Sequence, residues 1–191
     1  MRLERARHFL AITISIVCIA YLLSACDGNP TFHNSMGNSY YKKGKLDQAI
    51  AKYQKALQID PKHAQAHNNL GMVYFKQGSL DQAIAKYQKA LEIDPNFAQA
   101  HNNLGLIYYN QGQLDQAIAQ YQKALQINPN YIEVHYGLAC TSSLKNETAQ
   151  AVEWLQKAIA LDKSLIEKSK AESAFDNIRE RPEFQQLINS Q

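Results

Sequence analysis

The sequence predicts an all-α fold, a solenoid of four helix-turn-helix repeats with a C-terminal capping helix region. Three observations predict it. Residues 30–165 repeat themselves with a fixed period of 34. Each period carries two runs of apolar residues at helical spacing, split by a turn that holds glycine in the first three periods. The fourth period departs from the others, and a tail with its own apolar residues follows it, as the terminal units of a solenoid require.

The periods are residues 30–63, 64–97, 98–131 and 132–165, and the second and third agree at 25 of 34 positions without a gap. In the first helix of each period (helix A), positions 4, 7, 8 and 11 are expected to share one core-facing side. Gly71 and Gly105, at position 8, have no side chain there and let a neighbouring helix approach closely. Ala83, Ala90, Ala117 and Ala124 do the same on the second helix (helix B). Gly44, Gly78 and Gly112 mark the turns between A and B. Ser79 can cap its helix B, with Gln82 three residues on completing a capping box. Pro61, Pro95 and Pro129 follow each helix B and block its continuation. One period cannot bury its own apolar face, but a stack of three or more can. In the fourth period Ala139 replaces the helix glycine, Asn146 the turn glycine, Leu155 a tyrosine and Lys163 the proline. The tail, residues 166–191, reads as a helix, a bend before Pro182 and a short final helix. Its Phe175, Ile178, Phe184, Leu187 and Ile188 are expected to cover the open edge of the last repeat.

In the second period Leu70, Gly71, Tyr74, Ala83, Tyr87 and Pro95 stand at the spacing of a known 34-residue motif. Leu104, Gly105, Tyr108, Ala117, Tyr121 and Pro129 do so in the third, and Met36, Gly37, Tyr40, Ala49, Tyr53 and Pro61 in the first. The pattern resembles the tetratricopeptide repeat (TPR) and covers 136 of 191 residues. All four periods share one departure: His33, His67, His101 and His135 stand where the motif has tryptophan.

The N-terminus reads as an address. Residues 1–8 are short and basic, residues 9–23 form a nearly unbroken apolar run, and Ser24, Ala25 and Cys26 follow. That is the three-part plan of a secretory signal, with its positive end left in the cytoplasm. The ending Leu23-Ser24-Ala25-Cys26 resembles the lipobox of bacterial lipoproteins. The resemblance implies a signal peptide at 1–25, lipidation of Cys26 as the first mature residue, and a short linker at 26–29. The other reading of the same run is a retained membrane-spanning signal anchor, near the lower length limit of about 17 residues. Either reading places residues 27 onward outside the cytoplasm, in the bacterial cell envelope facing the periplasm or exterior. Asp27 after the cysteine resembles an enterobacterial signal for retention in the inner membrane.

Charge narrows the function. Three arginines and one glutamate lie in the first eight residues, which leaves 17 basic against 16 acidic residues in the rest. So even a balance gives no clustered positive field, and nucleic acid is not an expected partner. Of the three cysteines only Cys140 lies in the repeats, so the folded body holds no intrachain disulfide and rests on its apolar core.

No catalytic constellation is legible. Cys140 has no neighbouring base in sequence beyond His135, and a catalytic thiol needs one. There is no phosphate-binding glycine loop, HExxH or GxSxG pattern. The four periodic histidines cannot share one zinc ion, because packed helices lie about 8–10 Å apart while zinc needs nitrogens about 2 Å away. They are expected to be core rings at the tryptophan position. The chain is therefore expected to be no enzyme and to need no cofactor.

The informative surface is helix A positions 2, 5, 9 and 12, on a face turned from the core stripe. In TPR proteins this face resembles the lining of a concave groove that receives peptides. Position 5 holds Asn34, Asn68 and Asn102. Position 9 holds Asn38, Met72 and Leu106. Position 12 holds Tyr41, Phe75 and Tyr109, and the adjoining position 6 holds Asn69 and Asn103. Asparagine both donates and accepts, so a row of them can pair with any peptide backbone, with the aromatic rings adding apolar area. The row resembles the asparagine ladder in the TPR superhelix of O-linked GlcNAc transferase. The carboxylate clamp of chaperone-tail-binding TPR domains is not expected, since Asn34 stands where that clamp needs lysine. The expected function is a membrane-anchored interaction scaffold or assembly factor that holds an extended peptide segment or an envelope-complex subunit. TPR lipoproteins of the pilotin type are the nearest named kind. The alternative is a structural, self-associating envelope protein.

Overall fold

The structure, a computed structural model, describes residues 27–189; the expected signal segment and Cys26 lie outside the described residues. Those described form ten α-helices, one 3-10 turn and no strand. Four antiparallel pairs come first: α1 (Pro30–Lys42) with α2 (Leu46–Ile59), α3 (Ala64–Lys76) with α4 (Leu80–Ile93), α5 (Ala98–Asn110) with α6 (Leu114–Ile127), and α7 (Ile132–Leu144) with α8 (Thr148–Leu161). The tail adds α9 (Leu165–Ala171), the 3-10 turn Ser173–Phe175 and α10 (Pro182–Asn189).

Local chemistry sets the helix ends. Asn29 caps α1, its Oδ1 accepting from Thr31 N and Phe32 N, with Pro30 just inside the helix, where its missing N–H costs nothing. Gly78 takes φ +77° in its turn, a left-handed conformation open to glycine. Asn146 adopts φ 63° at the equivalent place, and asparagine tolerates it best among residues with a side chain. After α2, Asp60 Oδ1 accepts from Lys62 N, and Asp94, Asn128 and Asp162 repeat that bond to the residue two further on. Asp162 does so without a following proline, so Lys163 leaves the turn intact. Ser79 does not act as expected. It sits at the start of α4 but its hydroxyl makes no capping bond, because its ψ of 70° departs from the extended backbone of a good cap.

The core is a string of clusters at the repeat boundaries. Ala49 and Tyr53 of α2 pack on Leu70 and Val73 of α3. Ala83, Tyr87 and Ala90 of α4 meet Ala100, Leu104 and Ile107 of α5. Ala117, Tyr121 and Ala124 of α6 meet Val134 and Leu138 of α7. Each helix A after the first is thus buried on two sides, by its own helix B and by that of the preceding repeat. The core stripe is wider than positions 4, 7, 8 and 11. Positions 3 and 10 are fully buried from the second repeat on, whereas the position 11 tyrosines Tyr40, Tyr74 and Tyr108 are only half-buried.

At the far end the tail supplies what a fifth helix A would. Phe175, Ile178, Phe184, Leu187 and Ile188 pack against Ala151, Leu155, Ala158 and Ile159 of α8 and against Tyr136 of α7. Asn177 fastens this cap: it donates to Ser143 O and Asn146 Oδ1 and accepts from Ser143 Oγ.

Candidate protein-binding groove

The four histidines are buried, and their Nε2 atoms lie 2.7–3.2 Å from the backbone carbonyls of Asp27, Pro61, Pro95 and Pro129, each six residues earlier. A carbonyl only accepts, so Nε2 carries the proton. The rings therefore tie each helix A to the linker before it. His101 adds a 2.7 Å contact from Nδ1 to the Gln120 side chain. Burial is the main reason that the His67 pKa falls below its ordinary value. Among the described residues no group of three or more His, Cys, Asp or Glu is placed to hold a metal ion.

The asparagines join the repeats to one another. Asn69 Nδ2 donates to Asn34 Oδ1 and to Asn38 Oδ1, both at 2.9 Å. Asn103 Nδ2 donates to Asn68 Oδ1 at 2.9 Å. Gln65 donates to Asn69 Oδ1, and Tyr53 Oη donates to Asn38 Oδ1 at 2.7 Å. The rule is that position 6 of one repeat donates to position 5 of the repeat before. Asn34, Asn68 and Asn69 are buried as a result, with Asn68 only 1% exposed. They do not stand apart from the core, as the simple helical-face reading of the sequence had them.

The rule stops at the fourth repeat. Its positions 5 and 6 are Tyr136 and Gly137, so Asn102 meets no asparagine there and is half-buried. Two cavities on the helix A side are lined by the asparagine row and its neighbours. One, about 350 Å³, is lined by Asn38, Tyr41, Asn68, Asn69, Met72 and Asn103, with Tyr53, Gln65 and Tyr131. The other, about 560 Å³, lies where the asparagine row ends and is lined by Asn102, Leu106 and Tyr109, with Tyr136, Gly137, Cys140, Lys168 and Glu172. Nine of the eleven groove residues read from the sequence line one cavity or the other. Asn34 is buried beneath the row, and Phe75 packs on the boundary cluster of α4 and α5.

The wider cavity carries apolar surface at a polar rim. Leu106 is 37% exposed. Lys168 Nζ sits 4.3 Å from the centre of the Tyr136 ring, a cation–π pair that fixes one wall. Burial, with Glu172 adding to it, pushes the Cys140 thiol up to about 12, so the thiolate is not formed near neutral pH and the cysteine is inert lining. Burial likewise raises Tyr109 to about 12. Sequence reasoning missed the contribution of Gly137, Lys168 and Glu172. The signal for Gly137 was present: it stands at a position that holds asparagine in both preceding repeats.

Comparisons with known proteins agree with this architecture. A model described as TPR repeat matches residues 37–78 and 71–112, and models described as Tetratricopeptide repeat match 98–131 and 120–153. No curated protein matches significantly. Among solved structures, one described as the functional characterization of Pseudomonas aeruginosa pilF is similar at 27% identity, covering 87% of this chain and 70% of that one, with a TM-score of 0.71. A crystal structure of MamA is similar at 26% identity, covering 78% of this chain and 86% of that one, with a TM-score of 0.64. A second MamA structure covers 88% and 91% at 26% identity, with a TM-score of 0.62. The stacked helix pairs, the glycine under each helix B tyrosine and these matches give one conclusion: the chain belongs to the tetratricopeptide repeat family.

Proposed function

We propose that this protein is a lipid-anchored scaffold of the bacterial cell envelope that holds an extended segment of a partner protein in its helix A groove, outside the cytoplasm. The family is one of protein-interaction scaffolds, which supports the general reading. The observation that carries the specific one is the pair of cavities along a single face, with Leu106 exposed on the apolar surface inside a polar rim. An apolar side chain of the partner fits the wider cavity. Asn102, which has no rung partner, is the amide best placed to meet the partner's backbone. The lipobox-like Leu23-Ser24-Ala25-Cys26 supports the anchor, and Asp27 favours the inner membrane. A subunit of an envelope complex is the kind of partner that such an anchored scaffold meets.

The test is site-specific photo-crosslinking in cells. A photoreactive residue at Leu106 should capture a defined partner, and one at Ile127, exposed on a helix B, should not. Equal capture from both positions would place the binding surface elsewhere. Acyl labelling of the wild type and of Cys26→Ser tests the anchor separately.

A further inference from the structure

We infer that the outer edge of α1 is a membrane-seating surface, which lies against the lipid headgroup layer when the protein is anchored. Helix A positions 3, 7 and 10 meet the preceding repeat. In the second repeat they are Ala66, Leu70 and Val73, all at most 2% exposed, and the same positions are buried in the third and fourth repeats. In the first repeat they are Phe32, Met36 and Ser39. Phe32 is 40% exposed, Met36 half-buried and Ser39 exposed. A phenylalanine thus stands in the open where the next two repeats carry alanine. A terminal repeat normally turns a polar face outward. The C-terminal edge of this solenoid is closed by its tail, and the α1 edge is not closed by any described helix.

Geometry says what covers it. The His33 ring holds the Asp27 carbonyl at 3.0 Å, which clips residue 27 to the first turn of α1. Consecutive Cα atoms lie about 3.8 Å apart, so only one peptide link separates the clipped Asp27 from the residue proposed to carry the lipid. The Phe32 ring lies edge-on to the same His33 ring, with centroids 5.6 Å apart. An acyl-bearing Cys26 therefore brings Phe32 to the bilayer surface with no free linker between them. This step rests on the proposed lipidation of Cys26. Lys43, eleven residues beyond Phe32, lies on the same helical line and is exposed, as is Lys45 after it; Lys42 lines the groove instead. Lys43 and Lys45 match anionic headgroups, and Phe32 and Met36 match the acyl boundary. The solenoid then stands on its first repeat, with the wider cavity at the end away from the membrane.

The test uses the full chain processed in cells and reconstituted into phosphatidylethanolamine–phosphatidylglycerol vesicles, with the mature N-terminus identified by mass spectrometry on the same sample. Ser39→Cys on the proposed face should react with a membrane-impermeant maleimide at least about tenfold more slowly than Gln58→Cys on exposed α2 surface, because the interface excludes the reagent. Cys140 is buried and adds little background. As a second probe, Phe32→Trp in a Trp154→Phe background should be quenched by brominated lipid. Equal labelling together with unquenched fluorescence, on a sample whose Cys26 is acylated, overturns the seating while leaving the anchor standing. An unmodified Cys26 removes the anchor and the seating with it. Protection that persists in detergent overturns the proposal in favour of a second copy, or of residues 9–25, as the cover.

Discussion

The Asn69 side-chain amide donates to Asn34 Oδ1 at 2.9 Å, across the boundary between the first and second repeats. Both side chains are buried, and the same Asn69 Nδ2 also reaches Asn38. A pair of this kind joins two rigid units by polar contact, where the boundary otherwise relies on apolar packing.

Asn69→Ala should therefore destabilise the stack. It leaves Asn34 Oδ1 buried without its partner, at a cost of about 1–3 kcal/mol. Asn103→Ala removes a single bond to Asn68 and should cost less. Urea unfolding of the two variants checks the order, and an Asn69→Ala midpoint equal to wild type would show that the rung is not structural.

This pair also shows what the sequence could and could not convey. The 34-residue period, the turn glycines and the apolar tail were enough to read the fold, because each follows from helix periodicity and chain reversal. The depth of Asn34, Asn68 and Asn69 was not legible. A single helix drawn in isolation puts them on a polar face, and only the adjoining repeats bury them. The cavity at Gly137 depends on the loss of a rung between two helices 35 residues apart, so it appears only once the repeats are stacked. The contributions of Lys168 and Glu172 depend on where the tail returns, which no local pattern fixes.

Gly71→Ala should destabilise through overpacking. A Cβ there would lie 2.7 Å from the Tyr87 ring, which is itself buried. The expected cost is about 1–3 kcal/mol. Gly28→Ala is the control, since nothing lies within 4 Å of its Cβ position and its φ is unremarkable. Thermal melts of both should separate clearly, and a Gly71→Ala midpoint no lower than that of Gly28→Ala would contradict the close packing.

Stability should fall on mild acidification. The folded state holds His67 below the ordinary value of 6.5, chiefly by burial, with Lys86, Lys89 and His63 adding to the effect. Between the lowered folded pKa and 6.5 the unfolded chain binds more protons, so folding is favoured above that window and loses stability as pH drops through it. The urea midpoint should be lower at pH 5.5 than at pH 8. His67→Gln, which can still donate to Pro61 O, should narrow that gap; an unchanged gap would assign the acid sensitivity to other groups.

Phe175→Ala tests the cap. The ring is fully buried, 5.4 Å from Phe184 and edge-on to Tyr136 at 5.9 Å. Its loss should cost about 3–5 kcal/mol. Because solenoid stability is a sum of local terms, hydrogen exchange should quicken in α8 and α10 while α3 and α4 keep their protection. Uniform loosening along the chain would contradict a local cap.

The last prediction concerns the groove. Leu106→Glu puts a carboxylate at an exposed position in the wider cavity, which Glu172 also lines, without touching a rung of the asparagine row. Leu106 is 37% exposed, so the fold should be unchanged by circular dichroism and thermal midpoint. Binding should weaken strongly, because an apolar partner side chain would then meet a charge that loses water on contact. Asn102→Ala should weaken binding more modestly, by about 0.5–1.5 kcal/mol for one net hydrogen bond. Here it is preferable to Asn69→Ala, whose effect on binding cannot be separated from its effect on stacking. Lys52→Ala with Lys86→Ala, on the helix B side, is the control and should leave affinity unchanged. If Leu106→Glu binds the crosslinked partner as tightly as wild type while the lysine pair does not, the partner docks on the helix B surface and the groove assignment is wrong.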